Sequence, residues 1–253
     1  MYLVFLGTGG SGAPPGRAEN CILVDTGDVR ITLDAGPGCG QRLQEAGYSV
    51  CELDYVYITH LHIDHWAGLF DIAVYSAAEQ CKPPRIVAAS PVAGEALEVL
   101  IPRLPRVYRE QYSSLIEIEP WGRWSPSARL EVEPVEGRHA LTSYGVLVYW
   151  DGEPVLYYSG DTAPTRSVEE AVKRAAVAAV EATMPSSLAD VARESGHHTV
   201  EQVLAYRGVM RSGSTLVTVH LTRESLRELV ERARAGKIPP GVIVPVDGLA
   251  MSL

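Results

Sequence analysis

The hexapeptide His60-Leu61-His62-Ile63-Asp64-His65 decides how this chain is read. It follows an apolar run of β character, Leu53 to Thr59 (LDYVYIT), and precedes a helical pattern from Asp64 to Gln80. Three imidazoles and a carboxylate therefore stand at the carboxyl end of a predicted strand, and these are donors that suit zinc, manganese or iron. His60 and His62 are two apart, so in an extended turn they point the same way. Asp64 and His65 open a helix and leave in another direction. One tetrahedral ion does not take all four, so the spacing predicts two neighbouring ions. A solvated histidine cluster is the competing explanation, and the buried-type strand and the helix on either side speak against it.

With 253 residues, 46% hydrophobic and 21% charged, the composition fits one α/β domain spanning 1–253 and not a disordered chain. No apolar run is long enough to span a bilayer, and the opening MYLVFLG reads as a strand and not as a signal peptide. A cytoplasmic protein without a membrane partner is expected. Cys21, Cys39, Cys51 and Cys81 are scattered without a C-x-x-C pair and read as lone buried thiols. The net charge of −9 denies the chain the overall basic footprint of a nucleic-acid binder. Arginines gather in two places, Arg103, Arg106 and Arg109, and then Arg223, Arg227, Arg232 and Arg234. Such groups are ordinarily solvated helix faces.

Working outward, strands are predicted at Tyr2 to Leu6, Cys21 to Asp25 and Val29 to Asp34, with a helix at Gln41 to Ala46. The loop GTGGSGAPPGRAEN after the first strand lacks the G-x-G-x-x-G and G-K-[ST] spacings, so a plain turn and a phosphate loop stay equally open. Beyond the hexapeptide come a strand at Arg85 to Ala89, a helix at Val92 to Leu100, and strands at Ser114 to Glu119 and Ala128 to Val135. Tyr144 to Trp150 and Pro154 to Ser159 form a hairpin across Asp151-Gly152. The last third alternates: helix Val168 to Ala175, strand Ala176 to Val180, and helices near Ser187 to Glu194 and Val200 to Tyr206. Strand Thr215 to Val219, helix Arg223 to Ala235 and strand Val242 to Val246 follow. Antiparallel strands mixed with β–α alternation imply one layered α/β domain.

Four polar residues sit just past apolar strands: His139, Asp161, Glu181 and His220. That is the expected address of ligands in open α/β sheets.

These residues resemble the metallo-β-lactamase superfamily over nearly the whole chain, through LDAGPG, THLHIDH, the isolated His139, SGDT and the histidine at a late strand end. The resemblance implies an αββα sandwich, two mixed β-sheets flanked by helices. It implies one divalent ion, zinc or else manganese or iron, on His60, His62 and His139, and a second on Asp64, His65 and His220. Asp161 would bridge them. Within the superfamily the chain looks most like ribonuclease Z, the endonuclease that removes the 3′ trailer of precursor tRNA. Glu181-Ala182-Thr183 resembles that family's glutamate-alanine-threonine motif. Gly196-His197-His198-Thr199 resembles its glycine-histidine-serine-threonine motif, with His198 in place of serine. A possible homodimer follows from the same resemblance.

The chemistry so implied is phosphodiester hydrolysis by a hydroxide held between two ions, with Asp64 orienting or deprotonating the water. Glu181 and His197 are the candidates for protonating the departing oxygen. Three departures bear on the substrate. APPGR keeps Pro14, Pro15 and Arg17 but has no lysine, and His220-Leu221-Thr222 replaces the usual His-Phe-Ser. The hairpin also fills the interval between His139 and Asp161 where a tRNA-gripping arm would be inserted. The segment Pro102 to Trp124 is either a substitute substrate wall or a surface insertion. A related small-substrate phosphodiesterase, a thioester or carboxylester hydrolase of the glyoxalase II kind, and a non-hydrolytic member of the fold are the alternatives.

Overall fold

The strands are short, strongly apolar and mostly buried on both faces, which demands cover on each side of a sheet. The computed structural model describes residues 1–96, 98, 102, 106, 116–119 (backbone only) and 123–253. In chain order the elements are β1 (Tyr2–Gly7), β2 (Cys21–Asp25), β3 (Arg30–Leu33), α1 (Cys39–Glu45), β4 (Tyr55–Tyr57), α2 (Ile63–Trp66), α3 (Leu69–Ala78), β5 (Arg85–Ala89), α4 (Ser90–Glu95) and β6 (Ile116–Glu119). The second half carries β7 (Leu130–Glu136), β8 (Tyr144–Trp150), β9 (Glu153–Tyr158), α5 (Arg166–Arg174), β10 (Val177–Glu181), α6 (Ala189–Ser195), α7 (Val200–Ala205), β11 (Thr215–Val219), α8 (Arg223–Arg234), β12 (Val242–Ile243) and β13 (Leu249–Ser252).

Two mixed sheets result, a 7-stranded one ordered β13-β1-β2-β3-β4-β5-β6 and a 6-stranded one ordered β12-β11-β10-β9-β8-β7. The period of two along each strand sorts side chains into three apolar layers. Leu3 and Phe5 of β1 meet Val146 and Val148 of β8 between the sheets. Val4 and Leu6 turn outward to Leu43 of α1 and Ile72 of α3. Ala178 and Val180 of β10 turn outward to Val168 and Val172 of α5 and Leu229 of α8. This is the expected αββα sandwich. Strands β3, β4 and β5 run parallel, as do β9, β10 and β11, so their carboxyl ends line one edge.

Most predicted elements lie within a residue or two of their observed bounds, and the Asp151-Gly152 turn has both residues at positive φ (52° and 82°), as a tight hairpin requires. The helix expected from Asp64 to Gln80 is broken at Ala67-Gly68. There the Gly68 amide bonds Ala35 O at 2.8 Å, and a Cβ would stand 2.2 Å from Gly36 O. The last predicted strand is shorter, and β13, which pairs antiparallel with β1, was not anticipated. The Pro102 to Trp124 wall lies largely outside the described residues. No helix among the described residues is long and apolar enough to cross a membrane.

The cysteine reading needs correction. Cys21 pairs with Cys39 and Cys51 with Cys81 in disulfides, and no described cysteine is free. The pairs are 18 and 30 residues apart, without a motif, and meet only because α1 packs on β2 and because the chain leaving α3 returns beside the turn before β4. Disulfides are usual in oxidising compartments and in intracellular proteins of hyperthermophiles, so these two bridges do not fix the compartment. The Cys51–Cys81 bridge restrains the unfolded chain over a long loop, worth about 3–4 kcal/mol in the chain-entropy model. Replacing both residues by serine is expected to lower the denaturant-unfolding free energy by roughly that amount. Alkylation of the unreduced, unfolded protein should find no free thiol.

Candidate metal centre

At the shared edge the chain turns sharply after each parallel strand. Asp34 follows β3, His60 follows β4, Asp161 follows β9, Glu181 ends β10 and His220 follows β11. His62 caps α2, which carries Asp64 and His65, and His139 follows β7. The seven side chains named as ligands from the sequence are brought together in two groups. In the first, His62 Nδ1 is 3.1 Å from His60 Nε2 and 3.0 Å from His139 Nε2, and Asp161 Oδ2 is 3.7 and 3.9 Å from those same two Nε2 atoms. In the second, Asp64 Oδ2 is 3.0 Å from His220 Nε2 and 3.6 Å from His65 Nε2, while Asp161 Oδ1 is 3.3 Å from each. Each oxygen of Asp161 faces one group.

Hydrogen bonds on the far side of the rings explain why these atoms converge. Asp34, fully buried, accepts from Thr59 N, Thr59 Oγ1, Tyr158 OH and, at 2.6 Å, His65 Nδ1. The Thr59 hydroxyl, its proton given to Asp34, accepts from His60 Nδ1 at 3.1 Å. Thr183 Oγ1 gives its proton to Glu181 Oε2 and accepts from His220 Nδ1 at 2.8 Å. His139 Nδ1 donates to Gly196 O at 3.1 Å. His60, His65, His139 and His220 thus keep the Nδ1 proton engaged and turn Nε2 to the centre, the orientation a metal needs, while His62 turns Nδ1 there.

The arrangement fits two divalent ions. A tetrahedral ion with bonds of about 2.1 Å has ligand–ligand edges of about 3.4 Å, and the observed separations straddle that value. His65 Nε2 and Asp161 Oδ1 are buried without a hydrogen-bond partner, and both point into the second group. Burial and the neighbouring imidazoles, His65 above all, hold His60 well below the usual histidine range, and His62 and His139 are lowered chiefly by burial. Burial opposes ionisation of Asp161, but His220, His65 and His60 outweigh it and keep the carboxylate charged. For His65 burial is overcome by Asp161 and Asp34, which raise it well above 6.5, so an ion entering there displaces a proton.

Glu181 and His197, which the sequence could not show to be neighbours, meet at 2.9 Å between Oε1 and Nδ1. Glu181 is fully buried and also accepts from Thr162 N, His198 N and Thr183 N. Burial lowers the His197 imidazolium, but the Glu181 carboxylate prevails and pushes it up to about 9. The His197 ring lies 4.8 Å from that of His139 and 5.9 Å from that of His220. It borders a cavity of about 370 Å³ that is also lined by Ser11, His62, Ile63, Asp64, Asp161, Met184 and Thr222. No lysine or arginine is among the described lining residues. His198 takes no part in the cavity; its Nε2 bonds Tyr206 OH at 2.9 Å.

The glycine loop is largely taken up by packing: four of its amides are already bonded, Thr8 N to Asp247, Gly9 N to Ala18 O, Gly10 N to Leu221 O and Gly12 N to Glu19, and Ser11 between them lines the cavity. Arg17 reaches back to Thr8 and not into the cavity. A Cβ on Gly10 would stand 2.6 Å from the His220 ring. Sequence reasoning assigned no individual role to Asp34, Thr59 or Thr183, although all three stand inside the motifs LDAGPG, THLHIDH and Glu181-Ala182-Thr183 that carry the resemblance.

Fold and site together define a metallo-β-lactamase-fold, metal-dependent hydrolase of the ribonuclease Z-like kind. The chain belongs to the family described as "Anti-Pycsar protein Apyc1", whose model matches residues 1–231. It is similar to the ribonuclease Z of Pyrobaculum neutrophilum, 29% identical with 98% of this chain and 96% of the relative covered. Among solved structures it is similar to the metallo-β-lactamase-fold protein YhfI of Bacillus subtilis (TM-score 0.79, 17% identity, 99% and 98% covered). It is likewise similar to the short form of human tRNase Z (TM-score 0.74, 18% identity, 100% and 99% covered).

The threonine links can be tested without touching a ligand. Thr183→Val removes the hydroxyl between Glu181 and His220 and is expected to weaken metal binding by about 10–100-fold, while Thr183→Ser retains most of it. Titration against a competing chelator measures both.

Proposed function

We propose that residues 1–253 act as one phosphodiesterase domain of ribonuclease Z type, with two zinc ions held by the two groups of side chains. His60, His62 and His139 hold one ion, Asp64, His65 and His220 the other, and Asp161 both. When bound, such ions supply an attacking water of near-neutral pKa and neutralise charge growing on the phosphoryl oxygens. The chain's own residues do the rest. Asp64 turns Oδ2 to His220 and His65, leaving Oδ1 to accept the attacking water's proton. His197, its Nδ1 proton held by Glu181, offers the Nε2 proton to the departing oxygen. Burial opposes ionisation of Glu181, but the charge and hydrogen bond of His197 outweigh it and keep the carboxylate ionised, with backbone amides and the Thr183 hydroxyl also on its oxygens.

The Glu181–His197 pair is the observation that carries this reading. A thiolate departs unaided, since a thiol has a pKa near ~8.5, whereas an alkoxide leaving a phosphodiester needs a proton. A thioester hydrolase has no use for such an acid pair; a carboxylester hydrolase, which also expels an alkoxide, would share it, and turnover of a phosphodiester substrate separates the two. With no lysine or arginine among the described lining residues, the His197 imidazolium is a cationic side chain offered to the phosphate beside the bound ions. A small diester as substrate is a second reading. It is favoured by the modest cavity and by β8 and β9 running where an RNA-gripping arm would be inserted.

The deciding experiment is cleavage of a precursor tRNA bearing a 3′ trailer, with bis(p-nitrophenyl) phosphate in parallel and Asp161→Ala as the blank. Asp161→Ala is expected to lose at least one ion and nearly all hydrolysis. Two tightly held ions with full turnover would remove Asp161 from the bridging role.

His197→Ala should keep both ions and slow the reaction by about 10²–10⁴-fold. The acid form of His197 is populated below its pKa, so activity should fall as pH rises through it. That limb lies at or below about 9, because bound dications lower it further. Its survival in His197→Ala would assign the limb elsewhere.

A further inference from the structure

The second arginine group does not behave as a uniformly solvated face. On α8 the buried residues are Ser225 and Leu229. Arg232 is tied down, donating to Glu228 at 2.8 Å and reaching Glu201, while Glu228 also accepts from Ser186 at 2.7 Å. Arg223, Arg227 and Arg234 are different. All three are exposed, and none has an ion-pair partner among the described residues. At 3.6 residues per turn they fall within about 40° of one another around the helix axis and run along about 17 Å of it. Exposed Glu224 and Glu231 form the neighbouring row, about a quarter-turn away.

The position of this stripe is as telling as its charge. Thr222, the residue that caps α8, lines the cavity beside His220. The arginine row therefore begins at the rim of the site and leads away from it, on a chain whose net charge of −9 repels polyanions elsewhere. The cavity itself offers no described lysine or arginine to a flanking phosphate. Guanidinium groups pair with phosphate oxygens through paired N–H donors, and a row of them beside a phosphodiester centre is complementary to a sugar–phosphate backbone.

We infer that the exposed face of α8, through Arg223, Arg227 and Arg234, is the track that holds the RNA backbone flanking the scissile bond, in place of an arm. This rests on the phosphodiesterase reading and names its substrate as a polyanion extending beyond the cavity.

The test compares the metal-loaded protein with Arg223→Gln/Arg227→Gln/Arg234→Gln, and with Glu224→Gln/Glu231→Gln as the control on the next row. Three quantities are read: affinity for a precursor tRNA with a 3′ trailer, its cleavage, and hydrolysis of bis(p-nitrophenyl) phosphate. In the arginine variant the ratio of kcat/KM on tRNA to that on the small diester is expected to fall at least tenfold. The slope of log affinity against log salt should become shallower by about 2–3, since each lost phosphate contact removes about 0.7–0.9. The glutamate variant should hold or raise the ratio. An unchanged ratio and slope in the arginine variant would overturn the track. Small-diester turnover by a wild-type protein that neither binds nor cuts tRNA would also overturn it, yet leave the phosphodiesterase reading standing. Arginine-dependent RNA binding with no hydrolysis of either substrate would sink the phosphodiesterase reading and, with it, the track's place beside a scissile bond, leaving α8 as an RNA-binding face alone.

Discussion

Asp34 takes four hydrogen bonds at the end of β3, from the Thr59 amide, the Thr59 hydroxyl, Tyr158 and His65, and holds a left-handed backbone (φ 60°) to do so. Tyr158 belongs to the second sheet and Thr59 to the first, so one buried carboxylate ties the two layers at the edge where the site lies. It also sets two imidazoles, His65 directly and His60 through the Thr59 hydroxyl. Without such anchoring, here and at Gly196 O for His139 and Thr183 for His220, lone pairs crowded to within 3–4 Å would turn away from one another. A non-glycine residue at positive φ costs about 1–3 kcal/mol and persists only where its surroundings over-determine it. Four hydrogen bonds supply that determination.

The same logic recurs at His220, whose φ is 54°. Its Nδ1 is held by Thr183 and its ring is approached from the other side by Gly10, where no side chain has room. The glycine loop is itself pinned by Asp247, which accepts from Thr8 and from the Ala18 amide at 2.6 Å. Asp247 lies beyond the residues matched by the family model and just before β13, the strand that pairs with β1. The C-terminal segment thus reaches the metal centre at second hand, through a loop at the opposite end of the sequence.

What was legible in the sequence follows from the range of each signal. Strands β5, β8 and β11 carry local apolar patterns, and their bounds match the expectation. The ligands stand at strand ends, where a histidine or aspartate in an apolar context is conspicuous. Illegible features depended on contacts far apart in the chain. The disulfides need α1 seated on β2, and the break at Gly68 needs Ala35 and Gly36 against α2. Strand β13 is half-exposed and pairs across nearly the whole chain length. Thr59 and Thr183 look like ordinary strand-end threonines until the rings they serve are in place.

Glu181 joins the chemistry of bond breaking to the geometry of the metal site. Its Oε1 accepts from His197, and its Oε2 accepts from the hydroxyl that fixes His220. The group that holds the proposed acid and the group that orients a proposed ligand are therefore two oxygens of one carboxylate. Proton transfer from His197 removes the positive charge that Oε1 faces, while the amides of Thr162 and His198 on Oε1 and of Thr183 on Oε2 stay in place. None of these bonds is lost as the Nε2 proton leaves, so proton release by itself gives neither the carboxylate nor the His220 ring a reason to shift, which suits a site that must release a proton on every turnover without loosening its metal.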